Sequence, residues 1–553
     1  MESESRSRNG AQEHQQVIVV GAGPIGLTAA LWLADAGIHT TVVEKATEPG
    51  DQPRAISLQD ESFRTFDRLG IADALKAESL LDTGSRYLGL GGTLLAEAKP
   101  VPSRIGHPAK TQFDQPILEQ LLFDRAVQHT HLNFMLGTEA IGLSQDTDGV
   151  TLEVSSSDGT RTLSAPWLIG ADGGRSFTRS ALGIKLEGTT QPQRWIVIDL
   201  LNEQVERDPF AEFHCDGKRP YVLVPGINGR LRLEYMLFDN EDADAMTTPD
   251  KIRELVRAFR TELADEDVRR AAVYVAHQRI AENYRSGRAF LVGDAAHLMP
   301  PFAGQGLNAG IRDAGNIAWK LIDAIKGGAT DRLLNSYNTE RRTHGAQMVK
   351  VSQRIGAVVM ATHPVGTRVR DKLVRLLRKA PAVHNYLANM RFISPPDYSD
   401  GVAAPLEGGS PLPEVPVGRA LSQPQVRPLK KDLIHSAATG LDDYLGPGWA
   451  VIGIGAEAEP ENLSPYFTAL GAARVHLHGS TESAAPRGGQ NVTHVVETEP
   501  SLTRGHHGEP VYVLVRPDRY VAAVFTAAQQ AEVVDHLRTF IDDRSRSARG
   551  KTA

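Results

Sequence analysis

The sequence predicts an α/β protein of several domains. A parallel-sheet domain is interrupted by a mostly antiparallel sheet and followed by a small C-terminal α/β domain. Three observations carry this. The apolar run Val17-Ile-Val-Val20 feeds a glycine turn, Gly21-Ala-Gly23-Pro-Ile-Gly26, and then a helical stretch from Leu27 to Ala36. Between 192 and 280 the apolar runs become those of strands joined by turns. The chain, at 553 residues, exceeds what a single core accommodates, so two to four domains are expected.

Residues 1–15 are polar and charged and read as a disordered leader, unlike a signal peptide. Val17 to about Glu48 forms a β-α-β unit whose second strand, Thr40-Thr-Val-Val43, ends in Glu44. A helix is expected over Glu61–Leu75, with Phe63, Phe66, Leu69 and Leu75 on one side, and another over Ile117–Val127. Val150–Val154, the Asp158-Gly159 turn and the residues around Leu163 suggest a hairpin, and Trp167–Ala171 a buried strand. The inserted domain, 192–280, has strands at Trp195–Leu200, Tyr221–Val224, Leu231–Leu237 and Ala272–Val275. Alternation in Leu231–Leu237 predicts a sheet with one covered face. Part of 75–115 is expected to join this sheet.

The parallel-sheet domain is therefore discontinuous, 16–191 and 281–395. It resumes at Ala289–Val292, followed by a helix with apolar Leu307, Ile311, Ala314, Ala318, Leu321 and Ile325 on one side and Arg312, Asp313 and Lys320 on the other. Helical sequence continues to about Met390. Prolines crowd 396–430, which reads as a linker. Residues 431–542 read as a small α/β domain with strands at Trp449–Ile454, Arg474–Leu477, Val511–Val515 and Tyr520–Phe525 and a last helix over Ala527–Asp542. A charged tail, 543–553, follows.

The formal charge of −7 gives no reason to expect nucleic acid or an anionic membrane as partner, and no apolar run has membrane-spanning length. One cysteine, Cys215, excludes an internal disulfide and any Cys-based metal cluster, which fits a reducing cytoplasm. Cys215 reads as a small apolar filler. His506-His507 has no acidic or Cys partner at ligand spacing, so no metal site is expected.

The glycine turn carries the chemistry. Missing side chains at Gly21, Gly23 and Gly26 let a pyrophosphate approach the backbone, and the helix N-terminus adds N–H groups and positive potential. Glu44 lies about 20 residues on, where a carboxylate meets a ribose hydroxyl. A dinucleotide containing adenosine is expected on this Rossmann-like unit, NAD and FAD both being open. Two more segments end predicted strands: Gly170-Ala-Asp172-Gly173-Gly174 and Gly293-Asp294-Ala-Ala-His297-Leu-Met-Pro300-Pro301-Phe-Ala-Gly304-Gln305-Gly306-Leu307-Asn308. Asp294 could accept from a ribityl or ribose hydroxyl. Gly304, Gln305 and Gly306 lie at a helix N-terminus suited to a pyrophosphate or the electron-rich edge of a flavin.

Together these segments resemble the class A flavoprotein aromatic hydroxylases, single-component FAD monooxygenases of the p-hydroxybenzoate and phenol hydroxylase type. Pro53-Arg54-Ala55 resembles that family's arginine turn near the flavin, and Gln115, before Leu118-Glu119, its glutamine beside the ring. The resemblance covers roughly 15–395. Within the family it is nearest to hydroxylases of 3-(3-hydroxyphenyl)propionate, through Gln52–Ser57, Arg194–Asp199, Arg219–Val222, Glu340–Arg342 and Met390–Ile393, and weaker in the substrate domain. Residues 430–542 resemble the thioredoxin-like domain of phenol hydroxylase relatives, with Arg516-Pro517-Asp518 at its turn. Without cysteine it performs no redox exchange, and a structural or dimer-associated role is implied.

The resemblance implies FAD as cofactor, NADPH or NADH as co-substrate, O2, and a small aromatic substrate hydroxylated through a flavin C4a-hydroperoxide. A homodimer is compatible with it. Implied cofactor contacts are Gly21, Gly23, Gly26, Glu44, Lys45, Arg54, Gln115, Asp172, Gly293, Asp294, Pro301, Gly304, Gln305, Gly306, Leu307 and Asn308. Arg54 could neutralise reduced flavin. Catalytic candidates are Tyr221, to hydrogen-bond the phenol or simply pack in the sheet; Pro300, through its carbonyl; and Gln59 and Asp60, where relatives carry an activating aspartate, with an N-cap role for Asp60 equally open. Arg194 or Arg219 could hold a substrate carboxylate, and His297 reads as a packed neighbour of the flavin loop rather than a base. Alternatives are a related monooxygenase for a polyketide or other bulky aromatic, a non-catalytic flavin-fold binding protein, and a plain NAD dehydrogenase. The last leaves Gly293-Asp294 unexplained.

Overall fold

The computed structural model describes residues 15–406, 409–429, 437–455, 457–479, 491–504 and 509–542. The leader and tail expected at the ends, and His506-His507, lie outside these residues except for Gln15. Val17–Val20 sits inside a six-stranded sheet, paired in parallel with Thr40–Val43 on one side and Trp167–Gly170 on the other. Ala289–Leu291 and Leu132–Met135 extend it in parallel, and Arg285–Ser286 adds a short antiparallel edge. All four residues of Val17–Val20 are buried because both faces of the sheet are covered. Val17 and Val19 pack with the helices Pro24–Asp35 and Gly306–Lys326, whereas Ile18 and Val20 pack on a three-stranded antiparallel sheet formed by 139–165.

The second large sheet has eight strands. In spatial order these are His297–Leu298, Val268–Ala281, Leu186–Leu200, Leu231–Leu237, Tyr221–Pro225, Phe210–His214, Gly84–Leu88 and Leu94–Ala98. Every pairing is antiparallel except Phe210–His214 with Gly84–Leu88. The expectation of one covered face for Leu231–Leu237 is corrected: all its residues are buried. Leu231, Leu233, Tyr235 and Leu237 pack with Ile252 and Val256 of the helix Pro249–Val256, while Arg232 and Glu234 line a cavity on the other face.

Two further expectations need correction. The single helix expected over 61–75 is two, Asp60–Arg68 and Ala72–Ala77, broken where Gly70 adopts a left-handed φ of 71°. On the polar side of Gly306–Lys326, Asp313 and Lys320 are fully buried. Their partners come from another helix, Asp331–Val359: Asp313 pairs with Arg341 at 2.7 Å and Lys320 with Glu340 at 2.8 Å. The proline-rich stretch is not a slack linker. Leu412, Val415, Leu421 and Val426 join the C-terminal core, and Gln425–Pro428 pairs with Thr493–Glu497.

The C-terminal sheet has seven strands. Ala450–Ile454, Ala473–His478 and Thr493–Glu497 run parallel, and the Val511–Val515 and Val521–Thr526 hairpin lies antiparallel beside them. This sheet docks through a buried charge cluster. Glu340 accepts from Lys320, Asn316 and the Val402 N–H, and pairs with Arg516 at 2.8 Å; Arg516 also pairs with Asp518, which accepts from the Trp319 indole. No described helix is long and apolar enough to cross a membrane.

Burial alone would raise the Glu340 pKa; Arg516 and Lys320 overcome it and hold the carboxyl at about 2. Removing one partner of a buried charge cluster costs about 3–5 kcal/mol. Glu340→Gln is therefore expected to lose about that much stability in urea unfolding at pH 7. Because the folded pKa is depressed, the contribution is complete above the ordinary value of 4.5 and is lost as pH falls toward about 2. The difference between variant and parent should narrow over that interval.

Candidate flavin and substrate site

A cavity of about 540 Å³ lies between the two large sheets, at the carboxyl ends of the central parallel strands. Gly23, Ala171, Gly173, Asp294 and Gly304 border it together, so the three glycine-bearing turns share one groove. The glycines of the first turn have different reasons. Gly21 has φ 107° and would drive a Cβ into the Ala171 carbonyl, and a Cβ on Gly26 would strike the Gly21 carbonyl. At Gly23 nothing lies within 4 Å of a built Cβ. Two glycines let the turn close; the third leaves open space for a ligand.

Glu44 Oε2 accepts from the Ala22 N–H at 2.8 Å and Oε1 from Ala46 at 2.9 Å, which fixes the carboxylate beside the turn. Lys45 is exposed. Asp172 spends its carboxylate locally, accepting from Ser176 Oγ and the Thr178 N–H; its neighbours Ala171 and Gly173 face the cavity instead. Gly293 has φ 58° and donates to Asp313, which also holds His297 at 2.7 Å. That ties the Gly293-Asp294 turn to the long helix. Asp294 is open to the cavity, and its pKa is raised by removal from bulk water, partly offset by His297 and Arg54.

Pro301, Gly304, Gln305, Gly306 and Leu307 line the cavity where Gly306–Lys326 begins, and a helix start offers N–H groups with no partner inside the helix. Asn308 does not reach it. Its Oδ1 accepts from the Gln59 N–H and Ser62, and its Nδ2 donates to Ser57 and Gly304. Gln115 lines the cavity, accepting from the Ala55 N–H at 2.6 Å and donating to Glu119. This holds the turn that presents Arg54, which is exposed to the same cavity.

Among the catalytic candidates, Gln59 and Asp60 line the cavity. Asp60 is the first residue of its helix, Gln59 taking the cap position. Its pKa is raised, first by burial and then by Glu61, although Ser103 donates to it at 2.6 Å. Gln59 is held by Arg312 at 2.7 Å. Tyr221 is a correction: it stacks on His214 and packs with Tyr235 and Phe259 on the opposite face of the sheet, while Val222 and Val224 face the cavity. Pro300 is buried, and its neighbours Met299 and Pro301 border the cavity in its place. Arg194 and Arg219 are engaged with Glu241, outside the lining. His297 is buried on Asp313. Burial pushes the Cys215 thiol to about 11, consistent with a packing role.

Sequence reasoning missed the charged wall of the cavity. Arg232 and Glu234 sit two apart on one strand, which gives them one face. Arg232 pairs with Asp199 at 2.6 Å and donates to the carbonyls of Pro53 and Arg54, locking the sheet to the arginine turn. Glu234 accepts from Tyr274 at 2.7 Å; burial raises its pKa, opposed by Arg232 and Tyr274. Lys110 lines the same cavity and donates to Ser85 at 2.6 Å and to the Gly84 carbonyl. Burial lowers its pKa to about 8, and among the described residues it has no carboxylate partner. The alternation of charges at 232 and 234 was the available signal for the first pair; nothing local signals Lys110.

The glycines give a direct test. Gly23→Val, with open space at its Cβ, should keep the circular dichroism and melting temperature of the parent but bind FAD at least about tenfold more weakly, because its side chain enters the phosphate groove. Gly26→Val should lower the melting temperature instead, since its side chain meets backbone.

Comparison with known proteins agrees with this geometry. Residues 14–352 match the FAD binding domain family, and residues 418–540 match the HcaD C-terminal domain. The chain is 35% identical over 534 residues to a 3-(3-hydroxy-phenyl)propionate/3-hydroxycinnamic acid hydroxylase of Burkholderia cenocepacia, covering 95% of this chain and 96% of that protein. It is 36% identical over 542 residues to the protein of the same name in Mycolicibacterium smegmatis, covering 97% and 95%. Its fold is similar to that of the flavin-dependent monooxygenase PieE in complex with FAD and substrate, with TM-score 0.77, 22% identity and coverage of 96% and 99%. The open space at Gly23 and the accessible Asp294 and Arg54 in one groove fit FAD. The chain belongs to the FAD binding domain family of flavoprotein aromatic hydroxylases.

Proposed function

We propose that the protein hydroxylates the ring of a phenolic acid of the 3-(3-hydroxyphenyl)propionate kind, using NADPH or NADH and O2. The observation that carries the substrate class is Lys110, a half-buried cation with no carboxylate partner among the described residues, in the wall of a cavity that also holds the flavin turns. A phenylpropanoid acid brings the missing anion. Relatives named for that substrate and matching nearly the whole chain support the same reading.

Bound FAD supplies hydride acceptance and O2 activation, chemistry that no side chain here provides. The chain's part is placement and proton handling. Gly21–Gly26 and the start of Gly306–Lys326 would receive the phosphates, Asp294 would accept from a ribityl hydroxyl, and Arg54, open to the same cavity, would offset negative charge on the flavin. Lys110 fixes the carboxylate end of the substrate and so the position of its ring. Electrophilic attack favours a phenolate, so a base is needed. Asp60 suits this, because its raised pKa makes its carboxylate a stronger proton acceptor than an ordinary aspartate. The C-terminal sheet, three parallel strands followed by an antiparallel hairpin, supports a thioredoxin-like reading of that domain in a purely structural role.

The test is NAD(P)H oxidation across a panel of phenols with and without a propionate arm, the product identified by mass. Coupled gain of one oxygen on the phenolic acid is expected; oxidation yielding only peroxide with every member would reject the assignment. Lys110→Met should raise KM for the acid about 10- to 100-fold, the worth of a charge-assisted bond, with little change in kcat. Lys110 is charged below its pKa of about 8, so kcat/KM for the acid should fall as pH rises through about 8. A phenol lacking the carboxylate should not share that fall.

A further inference from the structure

Three buried or half-buried histidines gather in the C-terminal sheet, outside the cavity lining. His476 and His478 alternate on Ala473–His478 and therefore share a face. Thr493–Glu497 pairs in parallel with this strand and sets His494 directly opposite His476. The other face of the same strands carries Val475, Leu477 and Val495, all in the apolar core. The His476 and His478 rings stack with centroids 4.1 Å apart, and His494 lies 5.3 and 5.4 Å from the two. One ring nitrogen from each lies within 4.8 Å of the others.

The hydrogen bond of His476 identifies which of its nitrogens carries the lone pair. His476 Nε2 is 2.8 Å from the Gly455 carbonyl, which can only accept, so Nε2 bears the proton and Nδ1 the lone pair. His476 is 2% exposed, and its Nδ1 is buried with no hydrogen-bond partner among the described residues. An imidazole anchored through one nitrogen to a carbonyl, with the other free, is the arrangement that orients a metal ligand. His478 Nε2 and His494 Nδ1 face each other at 3.1 Å. Zinc–nitrogen bonds of about 2.0–2.1 Å place tetrahedral neighbours roughly 3.4 Å apart, so that pair is already near ligand spacing, and a nitrogen of His476 lies within 4.8 Å of it. Burial, and then the neighbouring rings, hold His478 at about 4, and burial and His476 lower His494.

We propose that His476, His478 and His494 bind a late first-row divalent metal ion, zinc by ligand type, with a fourth position left to water. A set of three imidazoles selects this group of ions. The ion would tie Ala473–His478 to Thr493–Glu497 and stand apart from the flavin.

Tag-free, FAD-loaded protein is equilibrated with zinc, freed of loose metal and assayed by mass spectrometry of the metal; cobalt replaces zinc for a visible ligand-field spectrum beyond the flavin bands. About one zinc per chain is expected, with a tetrahedral cobalt spectrum. His478→Ala and the volume-conserving His494→Gln should each weaken binding about 10- to 100-fold while keeping flavin content, and a His506→Ala, His507→Ala double variant should bind as the parent does. His494→Gln serves if His478→Ala fails to fold. Parent protein that retains no metal, or equal retention in His494→Gln, would overturn the site.

Discussion

The close approach of backbone to backbone at Gly21 and Ala171 is the constraint from which the rest of the site follows. The Ala171 N–H donates to the Val20 carbonyl and the Gly21 N–H to the Val43 carbonyl, both at 2.8 Å, so three parallel strands end at one point. A side chain at Gly21 or Gly26 would separate them. With the strand ends together, the following helix begins against the groove, and dinucleotide phosphates gain N–H partners at no conformational cost. Asp313 extends the arrangement. It is fully buried, yet held ionised by Arg341 and His297 against the pull of burial, and it fastens the Gly293 turn to the same groove.

A second set of buried charges joins the C-terminal domain to this frame. Glu340, Lys320 and Arg516 are fully buried and come from two helices and the turn after Val511–Val515. Such clusters resist partial separation, because parting the domains would leave each charge without its partner in a dry environment. Trp319 and Trp449 meet edge-to-face at 5.5 Å beside it, so apolar packing and charge act at the same seam. The C-terminal domain thus braces the helix that begins at the flavin groove, a function that requires no cysteine.

The parts of this architecture legible in the sequence are those whose causes are local. The glycine turn, the strand before it and the helix after it lie within twenty residues, and Gly21 and Gly26 answer to backbone at the next strand end and close in the chain. The cavity wall was not legible. Lys110, Arg232 and Glu234 meet only because a strand from 84–88 joins the edge of a sheet built from 186–281. Tyr221 shows the same limit in reverse. Alternation places it opposite Val222 and Val224, but a strand sequence with both faces apolar does not say which face looks into the cavity. The burial of Lys320 and Asp313 was not legible either, because their partners lie on a different helix. The paired histidines of Ala473–His478 became a cluster only once His494 was set beside them by strand pairing.

The central claim is that one cavity brings a flavin and a phenolic ring together so that oxygen from O2 reaches the ring. Isotopic labelling tests this most directly. Turnover of 3-(3-hydroxyphenyl)propionate by the FAD-loaded enzyme under 18O2 should give a product with one added 18O per NAD(P)H consumed, and the same turnover in 18O-labelled water should add none. Label arriving from water, or NAD(P)H consumed with an unlabelled, unchanged substrate, would contradict the account.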